Sequence, residues 1–260
     1  MPVKIMALLK AKAGMSRAQL NERYEDEYVP LISRILPLVQ NHRRHYVTDE
    51  RSDAMVAAGS PFVETGLDMI CEWIFADDAG EAEIIKAVAN ADALPAIGRL
   101  EAEIFDAAQG KKFAVEAVHA PPVSLAPRPT GFDGPPAIRT FVLLQKNPAM
   151  SRRQFVDHYE NNHVPLVLRH LERNGKPLFA TYNRNYPIPP ESTNMIGAFV
   201  GGVAPYDTLS EICYWSEADA EEFGPCMARE EAVAAFAKEN EIMLRLDGFR
   251  MVQIKTYGDG

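Results

Sequence analysis

One segment of this 260-residue chain occurs twice, and the two occurrences align with each other without a gap. The offset is constant at 135 residues, since it is 150 minus 15 at one end and 165 minus 30 at the other. In a tandem duplication one copy can keep the chemistry while the other serves as scaffold. The copies differ before the Val-Pro-Leu sequence, at Tyr28 in the first and His163 in the second. The repeated residues are Met15, Ser16, Arg17, Gln19, Tyr24, Glu25, Val29, Pro30 and Leu31, matched by Met150, Ser151, Arg152, Gln154, Tyr159, Glu160, Val164, Pro165 and Leu166.

The duplication extends beyond this segment. Glu72 corresponds to Glu211 at an offset of 139 residues (211 minus 72), and Glu101 corresponds to Glu239 at an offset of 138 (239 minus 101). The small drift places insertions and deletions between secondary structure elements. Each copy is therefore one supersecondary unit of roughly a hundred residues, which is the size of a small domain.

A proline-rich segment separates the two copies. Residues 120–137 hold six prolines and two glycines, a composition that disfavours helices and central strands and is typical of an extended, semi-rigid connector. We therefore predict a first repeat at residues 1–119 with a structural role, a linker at 120–137, and a second repeat at 138–260 that is the active half. The linker is long enough for the two repeats to pack on each other as a built-in dimer.

The first helix of each repeat has a clear start signal. In a capping box, a serine hydroxyl and a glutamine amide satisfy backbone groups that the first helical turn leaves unpaired. Pro30 and Pro165 predict the ends of these helices, because a proline pushes the preceding residue out of helical geometry. The capping pairs are Ser16 with Gln19 and Ser151 with Gln154.

Short apolar runs predict four strands in each repeat, with a second helix before the last strand. The resulting order is β-α-β-β-α-β, the ferredoxin-like pattern, in which helices cover one face of an antiparallel sheet. The fold class is therefore α+β, and the two uncovered sheet faces can close against each other into a barrel. The predicted strands are residues 5–9, 45–47, 69–75 and 113–118 in the first repeat and 140–144, 180–183, 211–215 and 251–256 in the second.

Composition excludes several classes of function. A formal charge of −9 and a pI near 5.2 argue against nucleic acid or an anionic membrane as partner. The N-terminal residues contain lysines and no long apolar run, so we expect neither a signal peptide nor a membrane span, and a cytoplasmic location. Three scattered cysteines are too few for a disulfide framework or a structural zinc site, and we expect no metal and no cofactor. His158 and His163 are five residues apart, so a regular helix would not let them bind one ion.

The repeated segment resembles the EthD-like family of the dimeric α/β-barrel superfamily. The resemblance rests on Met-Ser-Arg at the helix start, the following tyrosine, and Val-Pro-Leu, and it spans both repeats. It implies an intramolecular dimeric α/β barrel. Relatives serve as lactone isomerases, dehydratases, decarboxylases and tailoring enzymes, and in such relatives the histidine before Val/Ala-Pro-Leu faces the barrel cavity. That position is His163 here, whereas Tyr28 departs from the pattern in the first repeat.

The helical spacing supports the same residue independently. At about 100° per residue, Phe155, Tyr159, Asn162 and His163 fall within about 100° of one another on one side of the helix. Histidine changes its protonation most readily near neutral pH, which suits general acid/base catalysis. We predict His163 and Tyr159 as catalytic residues, and Asn162 as a substrate-binding residue. The alternative for His163 is a core histidine bonded to a backbone carbonyl.

Further aromatic residues are candidates for binding a planar substrate. Tyr182, Tyr186 and Trp215 lie in or near predicted strands of the second repeat, where they form either an aromatic wall or ordinary core. Tyr28 is the corresponding candidate in the first repeat. The proline- and glycine-rich loop at residues 185–205 is long enough to be a lid.

The sequence predicts an enzyme that works by proton transfer. It contains neither a dinucleotide-binding fingerprint nor a nucleophile elbow. We therefore expect a cofactor-independent lyase or isomerase of a small aromatic or lactone-like molecule, catalysing dehydration, decarboxylation or double-bond migration. Two alternatives stay open: a monooxygenase of the same superfamily, and a non-catalytic binding or accessory protein. Self-association of the fused unit also stays open.

Overall fold

The structure is a computed structural model that describes residues 4–35, 39–48, 65–75, 81–119, 126–130, 136, 138–192 and 203–257. Both repeats have the predicted β-α-β-β-α-β order. The first repeat consists of β1 (Lys4–Leu9), α1 (Arg17–Arg23), α2 (Val29–Ile35), β2 (Val39–Val47), β3 (Met69–Phe75), α3 (Glu81–Ala89), α4 (Leu94–Ile104) and β4 (Lys111–His119). Among the described helices, none is both long enough and apolar enough to cross a lipid bilayer.

The second repeat follows the same plan and also contains a β-hairpin with strands of two residues each and a short 3₁₀ turn (Pro190–Ser192). Before its last strand it has three helices, where the described part of the first repeat has two. Its elements are β5 (Ile138–Lys146), α5 (Arg152–His158), α6 (Val164–His170), β6 (Glu172–Arg173), β7 (Lys176–Pro177), β8 (Phe179–Pro187), β9 (Thr208–Tyr214), α7 (Glu217–Glu221), α8 (Phe223–Met227), α9 (Glu230–Met243) and β10 (Leu244–Tyr257). Both capping boxes form as predicted.

The two four-stranded sheets join into one closed barrel, in the order β1-β3-β2-β10-β5-β9-β8-β4. Each repeat contributes the strand order 4-1-3-2 of a ferredoxin-like sheet. The joints are β2 with β10, where Val47 opposes Ile254, and β4 with β8, where Val115 opposes Pro187. Each repeat thus covers the edge strands of the other, which removes the exposed edges that a separate sheet would present. The prediction of an intramolecular barrel is confirmed.

Charged residues from both repeats meet inside the barrel. Glu72 on β3 and Glu211 on β9 belong to strands that are not neighbours in the sheet. Even so, one carboxylate oxygen of each and one ring nitrogen of His45 all lie within 4.8 Å of one another. All three are buried. Lys4 lies 2.5 Å from Glu72, and Arg139 lies 3.2 Å from Glu211. Each carboxylate therefore already has a cationic partner.

The first helix of each repeat contains a wide π-helical turn, at Tyr24–Tyr28 and at Tyr159–His163. After each turn, the backbone N–H of Val29 or Val164 donates a hydrogen bond to the carbonyl five residues back. The helix then continues, so the predicted ends at the two prolines are wrong. A proline normally clashes with the carbonyl four residues back, but the wide turn opens the backbone there, and Pro165 is accommodated in the first turn of α6.

Two predicted segments lie largely outside the described residues. Of the linker at 120–137, only residues 126–130 and 136 are described, and the boundaries of the two repeats stay a prediction. The predicted lid at 185–205 is shortened at its start, because β8 continues to Pro187. Residues 193–202 of that loop are not among the described ones.

Candidate active site

The π turn of the second repeat presents Tyr159 and His163 to the layer between helix and sheet. Both residues are buried, and their rings lie 4.6 Å apart. Tyr182 contacts this cluster, whereas its neighbour Asn183 bonds to Glu211 in the barrel interior. Because side chains alternate along a strand, Tyr182 projects from the outer, helix-covered face. The candidate site is therefore outside the barrel interior. The expectation from the family resemblance, that His163 faces the barrel cavity, is wrong.

Asn162 is exposed, contrary to its predicted place beside His163. The prediction assumed about 100° per residue, and the wider π turn advances less per residue. The Asn162 amide instead lies 3.4 Å from Nδ1 of His158 and donates to the His158 carbonyl at 3.3 Å.

Tyr159 belongs to a buried network of three hydroxyl groups. Its oxygen lies 3.0 Å from that of Tyr182 and 2.9 Å from Oγ of Ser210. Burial raises the pKa of Tyr159, and the hydrogen bonds from Ser210 and Tyr182 only partly oppose this effect. Burial likewise raises the pKa of Tyr182 well above 10. Both phenols are therefore neutral hydrogen-bonding groups at physiological pH.

His163 packs between Tyr159 and helix α9. Phe236 of α9 meets the imidazole edge to face at 6.0 Å, and Oε1 of Glu239 lies 4.0 Å from Nδ1. Within the described part of the chain, Nδ1 has no hydrogen-bond partner. Burial, with a smaller contribution from the charge of His158, lowers the pKa of His163 to about 3. The ring is thus neutral at pH 7 and keeps one basic nitrogen.

His158 shares the carboxylate of Glu239 with His163. Its Nε2 donates to Oε1 of Glu239 at 2.9 Å. A regular helix would separate positions five apart by about 140°, but the π turn lets both histidines approach the same carboxylate oxygen. The prediction for a regular helix does not apply here, because the π turn makes this helix irregular.

Tyr186 is engaged in a structural cluster. Its hydroxyl donates to Oε1 of Glu160 at 2.5 Å, and the guanidinium of Arg184 binds both oxygens of that carboxylate at 3.0 and 2.6 Å. The first repeat forms the same cluster with a tyrosine, a glutamate and an arginine. Those residues are Tyr46, Glu25 and Arg44, with contacts of 2.6, 3.1 and 3.2 Å.

Trp215 lies beside the linker. Its Nε1 donates to the carbonyl of Ala126 at 3.0 Å, and the guanidinium of Arg128 lies 5.6 Å from its ring. Ala126 also donates its backbone N–H to the carbonyl of Phe179 at 2.7 Å. These contacts attach the linker to the second repeat, and none of them joins Trp215 to the Tyr159 network.

The first repeat fills the corresponding position differently. Tyr28 is fully buried and donates its hydroxyl to Glu101 at 2.5 Å, and Glu101 is also bound by Lys112. A surface cavity of about 590 Å³ lies nearby, lined by residues that include Arg23 and Glu103, but not by Tyr28. The Tyr28 hydroxyl is thus fully engaged.

Residues 147–243 match the family model described as EthD domain. This EthD domain match lies within the second repeat. No curated protein matches the chain. A solved structure described as an anthrone oxidase-like protein is similar over 100% of this chain and 94% of its own, with a TM-score of 0.54 and 12% identity. A mutant chlorite dismutase from Candidatus Nitrospira defluvii is similar over 98% and 91%, with a TM-score of 0.45 and 8% identity. At these identities, the first likeness shows the fold alone.

Sequence reasoning overlooked three residues of the site in the EthD domain, namely Glu239, Ser210 and Phe236. For Glu239 a signal existed, because it aligns with Glu101 in the duplication. The other two carried none, since a serine in a strand and a phenylalanine in an amphipathic helix are ordinary. Only the packing of α9 and β9 against the π turn shows their place.

The duplicated tyrosine clusters supply a prediction for the EthD domain. We expect Tyr186→Phe to lower the free energy of unfolding by about 1–3 kcal/mol, because Glu160 loses a partly buried hydrogen bond. Tyr46→Phe in the first repeat is the matched variant and should cost about the same. Urea denaturation of both variants measures this. A Tyr186→Phe protein as stable as the parent would contradict the structural role and restore the predicted aromatic wall.

Proposed function

We propose that the EthD domain of the second repeat is a cofactor-independent enzyme that moves protons on a small aromatic or lactone-like molecule. His163 acts as the general acid/base, with Tyr159 beside it. The reaction class is that of a lyase or isomerase. Tyr182 is retained as a residue beside the substrate, whereas the polar groups of Tyr186, Asn162, Trp215 and Tyr28 are engaged elsewhere.

The state of His163 is the observation that carries this proposal. The imidazole is buried, burial lowers its pKa to about 3, and its ring lies 4.6 Å from that of Tyr159, beside the buried hydroxyl network. Ionisable groups with strongly perturbed pKa values cluster at functional sites.

Proton transfer alone accounts for each reaction in the proposed class. In isomerisation, His163 takes a proton from one carbon and returns it to another, while the double bond moves. In dehydration, it takes a proton from carbon and protonates the departing hydroxyl. In decarboxylation, His163 takes the proton of the substrate's carboxyl group and, once CO₂ has left, returns it to the carbanion that remains. The neutral hydroxyl network at Tyr159 supplies hydrogen bonds where negative charge develops on oxygen.

A monooxygenase is the alternative. The same neutral base can deprotonate a phenol, and an electron-rich phenolate then reacts with dioxygen. The description of one structural neighbour as anthrone oxidase-like supports keeping this alternative, although the likeness itself concerns only the fold.

Solvent deuterium exchange tests the proposal before the natural substrate is known. We expect the protein to accelerate exchange of acidic hydrogens in a panel of phenols, lactones and enolisable acids, measured by mass spectrometry in D₂O. Exchange should persist under nitrogen and with a chelator, because neither dioxygen nor a metal takes part. Turnover that consumes one dioxygen per substrate would establish the monooxygenase instead. Binding of panel members without exchange or turnover would indicate a binding protein.

A further inference from the structure

We propose that Glu239 positions His163 by accepting a hydrogen bond from its Nδ1–H, so that Nε2 is the nitrogen that exchanges a proton with the substrate. The hydrogen bond from Nδ1–H to Glu239 is a property of the resting protein. The proton exchange at Nε2 rests on the proposed function. Glu239 itself does not touch the substrate, and it therefore acts as a positioning residue.

The geometry places one carboxylate oxygen between two imidazoles. Oε1 of Glu239 accepts a hydrogen bond from His158 at 2.9 Å and lies 4.0 Å from Nδ1 of His163. The side chains of Glu239 and His163 are 12% and 10% exposed, so water competes weakly for this contact. A closure of about 1 Å brings Nδ1 into hydrogen-bonding range of the carboxylate.

The first repeat supplies an internal precedent. Glu101 is the counterpart of Glu239, and Tyr28 is the counterpart of His163. There the contact is formed, since the Tyr28 hydroxyl donates to Oε1 of Glu101 at 2.5 Å. The carboxylate at this place in the fold thus accepts a hydrogen bond from the residue at this helical position. In the second repeat the donor is an imidazole N–H in place of a phenol.

His158 holds the carboxylate in place. The Asn162 amide lies 3.4 Å from Nδ1 of His158, which favours the tautomer that carries its proton on Nε2 and donates to Glu239. This gives the exposed Asn162 an indirect role. The corresponding residues of the first repeat, Arg23 and Glu27, pair with each other.

The charges around His163 agree with this role for Glu239. The titratable groups that face the imidazole are His158 and Tyr159 on its own helix and Glu239 on α9, while His170 lies beyond the ring of Phe236. Glu239 is therefore the anionic group facing it among the described residues. When the substrate's proton reaches Nε2, the imidazolium carries a positive charge that a carboxylate near Nδ1 stabilises. The proton returns to the substrate or leaving group in the second step, so the cycle is balanced.

The tautomer of His163 tests this proposal without any substrate. We expect ¹⁵N NMR of histidine-labelled protein at neutral pH to show His163 with its proton on Nδ1 and an unprotonated Nε2. Glu239→Leu removes the acceptor and should shift the tautomer ratio toward Nε2–H by about tenfold or more. Glu239→Gln keeps an acceptor oxygen and should retain the Nδ1–H form. Glu101→Leu is the matched control in the first repeat and should leave the His163 signals unchanged.

Two results would overturn the proposal: an Nε2–H tautomer in the parent protein, or an unchanged Nδ1–H tautomer in Glu239→Leu. If Glu239→Leu does not fold, the parent protein and Glu239→Gln still decide, because both must show Nδ1–H. A failed search for enzymatic activity would refute the proposed function but would not change the NMR result. The two proposals therefore fail separately.

Discussion

Replacing His163 with alanine is expected to lower kcat/KM by about 10²- to 10⁴-fold, the usual effect of removing a general acid or base. Tyr28→Phe, the matched change in the first repeat, should leave kcat/KM nearly unchanged, because Tyr28 donates only to Glu101. Steady-state assays with a substrate from the exchange screen measure both. Equal losses in the two variants would mean that the difference between the repeats has no catalytic meaning.

The pH profile of the parent enzyme gives a second reading of the same residue. The unperturbed pKa of histidine would place the acid limb of kcat/KM near 6.5, but burial lowers the pKa of His163 to about 3. We therefore expect activity to persist well below pH 6.5.

The same lowered pKa of His163 affects stability. As pH falls below about 6.5, the unfolded chain binds a proton at this histidine that the folded chain does not bind. The contribution of His163 to stability is consequently full above pH 6.5 and decreases toward pH 3.

Replacing Glu72 with alanine is expected to lower the free energy of unfolding by about 3–5 kcal/mol, because it leaves the buried ammonium of Lys4 without its carboxylate partner. Lys4 lies 2.5 Å and Arg43 lies 3.6 Å from this carboxylate. Burial alone would raise the pKa of Glu72, but Lys4, His45 and Arg43 outweigh it and hold the pKa well below its usual range. This contribution is present above pH 4.5 and decreases as pH falls below it.

Arg153→Ala provides the control for this measurement. Arg153 pairs with Asp157 at 3.7 Å on the surface, where both side chains are mostly exposed, and its loss should cost less than about 1 kcal/mol. The double variant Lys4→Met/Glu72→Leu should recover part of the loss, since removing both charges avoids an unpaired one. Urea denaturation of the three proteins decides. A Glu72→Ala variant as stable as Arg153→Ala would show that the barrel does not depend on this ion pair.

Much of the fold could be predicted because its signals are local and occur twice. The serine at each capping box, the apolar runs of the strands and the constant offset all depend on short stretches of sequence. The β3 strand, Met69–Phe75, was predicted to the residue. The helix ends at Pro30 and Pro165 were predicted wrongly, because a π turn has no clear sequence signal and changes what a proline does in the following turn.

The candidate site was predicted less completely, and the π turn is again the reason. It places Asn162 outside and brings His158 and His163 toward one carboxylate. A helical wheel cannot show this. Tyr186 was predicted as a substrate contact because it is a strand aromatic, but its hydroxyl is bound to Glu160, a partner that only the packing of helix on sheet supplies. The roles of His163 and Tyr159 stay proposals.

A crystal structure of the protein with a substrate or analogue from the exchange screen tests the central claim most directly. The claim is that the working site lies between helix and sheet of the second repeat, at His163. The predicted result is a ligand on the helix-covered face of the sheet. A polar atom of the ligand should lie within hydrogen-bonding distance of Nε2 of His163, and the ring of the ligand should lie near Tyr182. A ligand bound among Glu72, Glu211 and His45 inside the barrel, or in the first-repeat cavity beside Arg23, would contradict it.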